Sequence, residues 1–212
     1  MIERIAVFGA TGRTGQQLVA AALARGWQVH ALCREGRHPG ASHPALRVLQ
    51  GPLTDPAALD QTLSGCQAAC CVFGPRPPHT DLFCADATRA IIAAATRAGV
   101  SRLICQTGAM IGPYRANRTW PFDLMAKLFA RQRPAAAADR WQQEVAVRES
   151  GLDWTVIKPP RLVDAPGQGR VKAGPQVRVG LLSKIGRTDL AQAIVDQLAE
   201  PRFRRETVFV AG

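Results

Sequence analysis

The clearest chemical signal in the sequence is a run of glycines near its start. Residues 9–15 read Gly-Ala-Thr-Gly-Arg-Thr-Gly, so Gly9, Gly12 and Gly15 recur at every third position. This spacing suits a chain that turns tightly at Gly9, lets its backbone approach a diphosphate at Gly12 and packs a helix closely on a sheet at Gly15. A helix that begins in the turn directs free N–H groups and a partial positive charge at the phosphates. The pattern predicts a dinucleotide site.

The residues on either side of this turn agree with that prediction. Residues 2–8 end in a continuous apolar run, which is typical of a strand buried on both faces. Residues 14–25 carry apolar side chains at helical spacing and are followed by Gly26, a residue that commonly ends helices. A strand, a glycine turn and a helix in this order are the context that the motif requires.

The choice between NAD and NADP is usually made about 20 residues beyond such a turn, at the end of the second strand. An acidic residue there binds the ribose 2′-hydroxyl of NAD, whereas this chain has Arg34 with Arg37 close behind. Guanidinium groups bind phosphate in bidentate fashion, and Glu35 points to the opposite side if the strand continues through it. We therefore predict NADP(H) as the cofactor. The alternative is that Arg34 is a solvated surface charge.

Other reactive groups give weaker signals. Tyr114, the single tyrosine, has Arg118 four residues on, where the Tyr-x3-Lys pair of a dehydrogenase would have lysine. The charge of that arginine could lower the pKa of the phenol, and a lid or packing role for Tyr114 is the competing interpretation. The six cysteines lack the Cys-x2-Cys spacing of structural zinc, so we expect reduced, buried thiols and no metal site. No Gly-x-Ser-x-Gly elbow of a hydrolase is present.

The composition excludes several classes of protein. With 212 residues, 47% hydrophobic and 20% charged, the chain lies in the range of a globular domain. No apolar run approaches the ~18 residues of a membrane span and the start lacks a signal-peptide pattern, so we expect a cytoplasmic protein without a membrane partner. The net charge of +11 fits a phosphorylated cofactor, nucleic acid or an arginine-rich genome composition. Because no nucleic-acid motif is recognised, we do not expect a nucleic-acid partner, and the oligomeric state stays open.

Strands and helices alternate along the chain. Beyond the first strand and helix, further strands are predicted at residues 29–33, 46–49, 68–73, 103–105, 154–157 and 207–210, and helices at 56–63, 80–98, 135–149 and 189–200. This alternation predicts one α/β domain over residues 1–212, a doubly wound, Rossmann-type parallel sheet of about six or seven strands.

Two stretches rich in glycine and proline follow strands, at residues 108–121 and 159–186. Ligands bind outside the carboxyl ends of such strands, so we expect these stretches to form the walls of a substrate pocket. The apolar residues that follow the first stretch fit either an apolar pocket for a planar acceptor or an amphipathic helix packed on the sheet, and they are Trp120, Phe122, Leu124, Met125, Leu128 and Phe129.

With these motifs together, the chain resembles the atypical short-chain dehydrogenase/reductase proteins with an NAD(P)H-binding domain. The likeness is greatest to the biliverdin IXβ reductase/flavin reductase branch, and nitrogen-repression regulators share the fold. It spans nearly the whole chain and rests on five segments: residues 9–15, Arg34, Phe73-Gly74, the Gln-Thr-Gly-Ala of residues 106–109, and residues 150–160.

The resemblance implies a cofactor site built from the ends of several strands. The diphosphate would be held by Gly9, Thr11, Gly12, Arg13, Thr14 and Gly15, the 2′-phosphate would be held by Arg34 and Arg37, and Leu53 would border the adenine. Phe73, Gly74 and Arg76 would flank the ribose and phosphates. Thr107 and Gly108 would face the nicotinamide ribose, and Pro159 and Pro160 would lie against the nicotinamide end.

The chain also departs from that family. Family members often have Gly-Asp where this chain has Gly51-Pro52, and the reductase branch commonly has serine at Gly108 and histidine at Arg161. Arg161 could instead bind an anionic group of the substrate.

We expect an NADPH-dependent oxidoreductase that transfers hydride to a small planar acceptor such as a flavin or quinone, with Tyr114 and Arg161 as candidate catalytic residues. Hydride transfer to an oxidised flavin asks little proton chemistry of the protein. The alternative is a non-catalytic NADP(H)-sensing or scaffold protein of the same fold.

Overall fold

A computed structural model describes residues 2–74 and 83–212. Its elements follow in the order β1 (Arg4–Phe8), α1 (Arg13–Ala24), β2 (Gln28–Cys33), β3 (Leu46–Gln50), α2 (Pro56–Leu63), β4 (Ala68–Cys71), α3 (Phe83–Arg97), β5 (Arg102–Gln106), α4 (Trp120–Gln132), α5 (Pro134–Glu149), β6 (Asp153–Lys158), β7 (Arg161–Val163), β8 (Lys172–Gly174), β9 (Lys184–Gly186), α6 (Arg187–Ala199) and β10 (Glu206–Ala211).

The main sheet has eight strands in the order β3-β2-β1-β4-β5-β6-β10-β8. All neighbours are parallel except β8, which pairs antiparallel with β10, and β7 and β9 form a separate two-stranded parallel ribbon. The predicted doubly wound sheet is confirmed, with slightly more strands than the six or seven expected. The three-residue strand β8 lies in the stretch 159–186, where it is too short to show a period of two.

The predicted elements agree with the observed ones to within a few residues. The helix predicted at residues 80–98 is present as α3, and its expected residues 80–82 lie outside the described part of the chain. Asp55 is the N-cap of α2, where its carboxylate accepts a hydrogen bond from the N–H of Ala57 at 3.0 Å. None of the helices in the described residues is long and apolar enough to cross a membrane.

Helices cover both faces of the sheet. Val7 on β1 packs in one apolar cluster with α1 and α6, and its neighbour Phe8 packs in a second cluster with α2 and α3. Strands β4 and β5 are buried along their whole length. Burial on both faces explains why these strands read as continuous apolar runs instead of alternating ones.

The cysteines belong to this core. All six are free and buried, and burial raises the pKa of Cys66, Cys70 and Cys84 to about 12, so these three thiols stay protonated near neutral pH. Within residues 2–74 and 83–212, no three side chains of the metal-binding types His, Cys, Asp and Glu lie together as a metal site would need.

One buried carboxylate joins two helices. Asp139 on α5 accepts hydrogen bonds from the backbone N–H groups of Cys84 at 3.0 Å and Ala85 at 2.8 Å, in the first turn of α3. Asp139 therefore binds the start of α3 in the way of a cap, but from a neighbouring helix.

We predict that Asp139→Ala lowers the free energy of unfolding by about 1–2 kcal/mol, because it leaves two buried N–H groups without an acceptor. Asp86→Ala is the matched control, since Asp86 is an exposed carboxylate on α3 itself and should cost less than about 0.5 kcal/mol. Urea denaturation of both variants measures the difference, and equal losses would show that the cap contributes nothing.

Candidate active site

The glycine turn connects β1 to α1 through very close backbone contacts. Gly9 has a φ of +93°, and a Cβ there would lie 2.7 Å from the backbone nitrogen of Phe73. A Cβ at Gly15 would lie 2.1 Å from the carbonyl oxygen of Gly9. Gly12 donates a backbone hydrogen bond to that same oxygen at 3.0 Å and is the N-cap of α1. Because glycine has no side chain that could cap the helix, the first N–H groups of α1 are available to an anion.

The turn forms one wall of a cavity of about 220 Å³, which we call the turn cavity. Its other walls come from the end of β2, from the residues that follow β2, β3 and β4, and from Phe83 at the start of α3. Seven of the residues predicted to bind the cofactor line it together: Gly9, Thr11, Gly12, Arg34, Leu53, Phe73 and Gly74.

The remaining predicted residues of this region lie around the turn cavity. Thr14 and Gly15 are buried in the first turn of α1. The exposed side chain of Arg13 forms an ion pair with Asp164 at 2.8 Å, which connects the turn to the stretch after β7. Arg76 lies outside the described residues.

The structure gives a different reason for assigning Arg34, and not Glu35, to the cofactor site. Strand β2 ends at Cys33, so the alternation of side chains along a strand does not separate Arg34 from Glu35. Arg34 lines the turn cavity, and Glu35 is not among the residues that do. Arg37 follows in a tight turn in which its N–H donates to the carbonyl of Arg34 at 2.9 Å, so both arginines lie just past the strand end.

A second cavity, of about 470 Å³, lies past the ends of β5 and β6. Both stretches rich in glycine and proline contribute to it, as the sequence predicted. Five predicted residues line this second cavity: Thr107, Gly108, Pro159, Pro160 and Arg161. The remainder of its wall is mainly apolar and includes Phe122, Met125, Phe129, Leu162 and Leu181.

The apolar residues after Trp120 fit neither of the two expected interpretations alone. They form a helix, α4, with Pro121 and Asp123 in its first turn, as is common at helix N-termini. This helix packs against α5. Its side chains Phe122, Met125 and Phe129 line the second cavity.

Arg140 on α5 connects the two cavities. Its buried guanidinium donates to the carbonyl oxygens of Phe73 and Gln106, each at 2.8 Å, and to the side chain of Gln143 at 2.7 Å. Phe73 lines the turn cavity, whereas Arg140 lines the second. The two cavities are therefore adjacent along the carboxyl ends of β4 and β5, where a ligand of an open parallel sheet binds.

A buried ion pair supports the wall of the second cavity. Lys158 at the end of β6 and Glu144 on α5 are both fully buried, with 2.5 Å between Nζ and Oε2. Lys158 also donates to the hydroxyl of Thr107 at 3.2 Å, and Tyr114 donates its O–H to the other oxygen of Glu144. We call these four residues the Lys158 cluster, and Thr107 is the member that lines the cavity.

Burial controls ionisation in this cluster. It lowers the pKa of Lys158 to about 8, against the opposing charge of Glu144. It raises the pKa of Tyr114 to about 12, and the negative charge and hydrogen bond of Glu144 add to that shift. Tyr114 is therefore a neutral phenol at physiological pH.

The structure corrects the expectation that Arg118 lowers the pKa of Tyr114. The buried guanidinium of Arg118 donates to the carbonyls of Ala109, Ile111 and Gly112, at 2.8 to 2.9 Å, and thereby holds the chain after β5. Tyr114 is not among the residues that line the second cavity, and its hydroxyl bonds Glu144. This arrangement favours the packing role that was the competing interpretation.

Sequence reasoning missed Arg140, Glu144 and the role of Lys158. Arg140 and Glu144 are four residues apart on α5, so they share a helical face, yet a polar helical face normally indicates exposure to solvent. Lys158 ends an apolar strand directly before Pro159. A lysine at the end of a buried strand is the one signal that could have indicated a buried ion pair.

We predict that Lys158→Met lowers the free energy of unfolding by about 3–5 kcal/mol, because it leaves the carboxylate of Glu144 buried and unpaired. The double variant Lys158→Met/Glu144→Leu should recover most of that loss, since it buries no charge. Urea unfolding of the two single variants and the double variant forms a double-mutant cycle. Losses that simply add would contradict a coupled pair.

The comparisons with known proteins agree with this geometry. Residues 9–201 match the NAD(P)H-binding protein family. A short-chain dehydrogenase/reductase of Veillonella parvula, solved in complex with NADP, superposes with a TM-score of 0.83 at 19% identity, covering 100% of this chain and 95% of the other. The anaerobilin reductase ChuY of Escherichia coli O157:H7 gives a TM-score of 0.78 at 21% identity, covering 98% and 96%.

A sequence relative with a named activity is a (4-alkanoyl-5-oxo-2,5-dihydrofuran-3-yl)methyl phosphate reductase of Streptomyces griseus. It is 31% identical over 156 residues, which are 73% of this chain and 46% of the relative. The chain spans less than two thirds of the length of the curated relatives that it matches. The match over residues 9–201 covers most of the chain, which therefore belongs to the NAD(P)H-binding family.

Proposed function

We propose that the protein is an NADPH-dependent reductase that delivers hydride to a largely apolar, planar acceptor such as a flavin or quinone. The observation that carries this proposal is the pair of adjacent cavities at the carboxyl ends of the strands. One contains the glycine turn and Arg34, and the other is mainly apolar with a volume of about 470 Å³. An extended dinucleotide with its phosphates in the first would reach the second with its nicotinamide.

The residues of the turn cavity fit the phosphate end of NADPH. The uncapped start of α1 offers N–H groups to the diphosphate. Arg34, with Arg37 behind it, offers guanidinium groups to the 2′-phosphate. Leu53 and Phe73 are nearly buried apolar side chains in the same wall and would flank the adenosine.

The residues of the second cavity fit the reacting end. Thr107, Gly108, Pro159 and Pro160 would hold the nicotinamide, which supplies the hydride when NADPH is bound. The Lys158 cluster fixes Thr107, whose hydroxyl accepts from Lys158 and lies 3.4 Å from Glu144. Thr107 would thus be held in one position in the cavity wall, and no flexible side chain has to be ordered first.

An acceptor that carries an anionic group, such as FMN, would find a cation for that group in the second cavity. Arg140 and Arg161 are the two cationic side chains of the second cavity wall. Arg140 is already bonded to backbone carbonyls, so Arg161 would bind the anion. The Streptomyces griseus relative is named as a reductase of a phosphate ester, and ChuY as a reductase of anaerobilin. Both names support a reductase, and the first supports an anionic substrate.

A non-catalytic NADP(H)-sensing protein of the same fold is the second candidate. It is favoured by Tyr114, whose hydroxyl donates to Glu144 and which does not line the second cavity, so this tyrosine is not placed to protonate a substrate there. Gly108 also lacks a hydroxyl of its own. A hydride transfer that requires little proton chemistry remains compatible with both facts.

We predict that purified protein oxidises NADPH when FMN or a water-soluble quinone is supplied. The loss of NADPH absorbance measures turnover. Thr107→Val should slow it at least about tenfold while NADPH binding changes less, because the hydroxyl that bonds Lys158 and Glu144 and so fixes this part of the wall is lost. Thr96→Val on the exposed side of α3 is the matched control. Tight NADPH binding without oxidation by any acceptor would contradict the reductase and support the sensor.

We predict that Arg34→Glu weakens NADPH binding about 10- to 100-fold and changes NADH binding far less, because only NADPH has the 2′-phosphate that the guanidinium would bind. Arg47→Glu on β3 is a matched charge reversal and should leave both affinities unchanged. Titration of NADPH and NADH fluorescence measures the four dissociation constants. Equal losses for the two nucleotides would remove Arg34 from the 2′-phosphate site.

A further inference from the structure

One face of α4 exposes large apolar side chains to solvent. Trp120, Leu124 and Leu128 are spaced by four residues and are 79%, 51% and 46% exposed. Leu182, in the loop before β9, is 92% exposed. Single exposed apolar residues are common on protein surfaces, but a contiguous group marks an interaction site. We call Trp120, Leu124, Leu128, Leu181 and Leu182, with Met125, the α4 face.

The α4 face is continuous with the second cavity. Met125 and Leu181 line that cavity and are also exposed at the surface. Met125 is one residue from Leu124 on the helix, and Leu181 is adjacent to Leu182 in the chain. The cavity therefore opens onto the α4 face, and a ligand entering there passes Met125 and Leu181.

Basic side chains surround this apolar face. Trp120 and Leu124 share a surface groove with Arg115, Lys127 and Arg178. Arg131 lies on the same side of α4, because it follows Leu124 by seven residues.

The acidic side chain nearest to this face is already paired. Asp123 is the sole acidic residue of α4, and its carboxylate contacts Arg118 at 3.4 Å and Lys127 at 3.0 Å. The rim of the α4 face therefore carries a net positive charge.

This charge pattern discriminates between occupants. A second copy of the chain, packed with twofold symmetry, would bring Arg115, Arg131 and Arg178 close to their own equivalents with no free carboxylate on α4 to compensate. An anionic lipid surface meets both features at once. Apolar side chains enter the boundary between headgroups and acyl chains, and each nearby Lys or Arg contributes about 1 kcal/mol with anionic lipid.

We propose that the α4 face docks on an anionic phospholipid surface, so that the second cavity opens toward the bilayer. A lipid-soluble acceptor, such as a quinone with an apolar tail, would then enter from the membrane. The docking itself does not depend on the proposed reductase activity, and only the identity of the entering ligand rests on it. The expectation of no membrane partner rested on the lack of a spanning segment and of a signal-peptide pattern, whereas the α4 face would bind the surface of a membrane without crossing it.

Vesicle flotation tests the docking. We expect the protein to float with vesicles of phosphatidylcholine and phosphatidylglycerol at 3:1 and not with phosphatidylcholine alone. Of the four tryptophans, Trp27 and Trp154 are buried and Trp141 is half-buried, so a blue shift of emission on binding would report on Trp120. Trp120→Ser/Leu124→Ser should weaken binding at least about tenfold, because the side chains that enter the lipid are removed.

Charge reversals distinguish binding by the α4 face from the general attraction of a basic protein to anionic lipid. Arg131→Glu should weaken vesicle binding about fivefold or more, and Arg47→Glu, the same change on β3, should have little effect. Three results would overturn the proposal. Vesicle binding could be the same for every variant and lipid composition, or Arg47→Glu could weaken it as much as Arg131→Glu does. Sedimentation could also show that the α4 face joins two copies of the chain.

Vesicle binding and NADPH oxidation can be tested independently of each other. Trp120→Ser/Leu124→Ser leaves both cavities intact, so its oxidation of NADPH with water-soluble FMN should equal that of the unmodified protein. If the unmodified protein oxidises no NADPH, the reductase proposal fails and the vesicle result still decides the docking.

Discussion

The close approach of α1 to the ends of β1 and β4 is the constraint on which the rest of the site depends. It exists because Gly9 and Gly15 lack side chains. A Cβ at either position would lie within 2.7 Å of backbone atoms of the turn or of the neighbouring strand. With both absent, the N-terminus of α1 lies beside the cavity at the strand ends, and its free N–H groups lie where a phosphate would be bound. A dinucleotide bound at the start of α1 could extend into the second cavity only because α1 begins so close to the strand ends.

The buried polar side chains of α5 make the wall of the second cavity rigid. Arg140 holds the ends of β4 and β5 together, and Glu144 neutralises Lys158 at the end of β6. A helix that buries these groups is unusual, since charged side chains are rarely fully buried unless they are paired. Here the pairing lies directly behind Thr107 and Pro159, so the wall of the cavity is fixed by interactions that solvent does not screen.

The sequence predicted the fold and the turn well because their signals are local. Apolar runs and helical spacing indicated the main strands and helices, and the glycine spacing of residues 9–15 indicated the tight turn between β1 and α1. It predicted less about the second cavity, whose residues come from segments far apart in the chain. The bond between Glu144 and Tyr114 joins residues 30 positions apart and has no local signature. For the same reason Arg118 was matched with Tyr114 by spacing, although it binds backbone carbonyls.

We infer that one extended NADPH molecule would occupy both cavities. A crystal structure of the protein grown with NADP⁺ would decide this. We expect the diphosphate at the start of α1, the 2′-phosphate against Arg34, and the nicotinamide in the second cavity beside Thr107 and Pro159. A nucleotide bound with its nicotinamide outside the second cavity, or crystals at saturating NADP⁺ with the turn cavity empty, would contradict it.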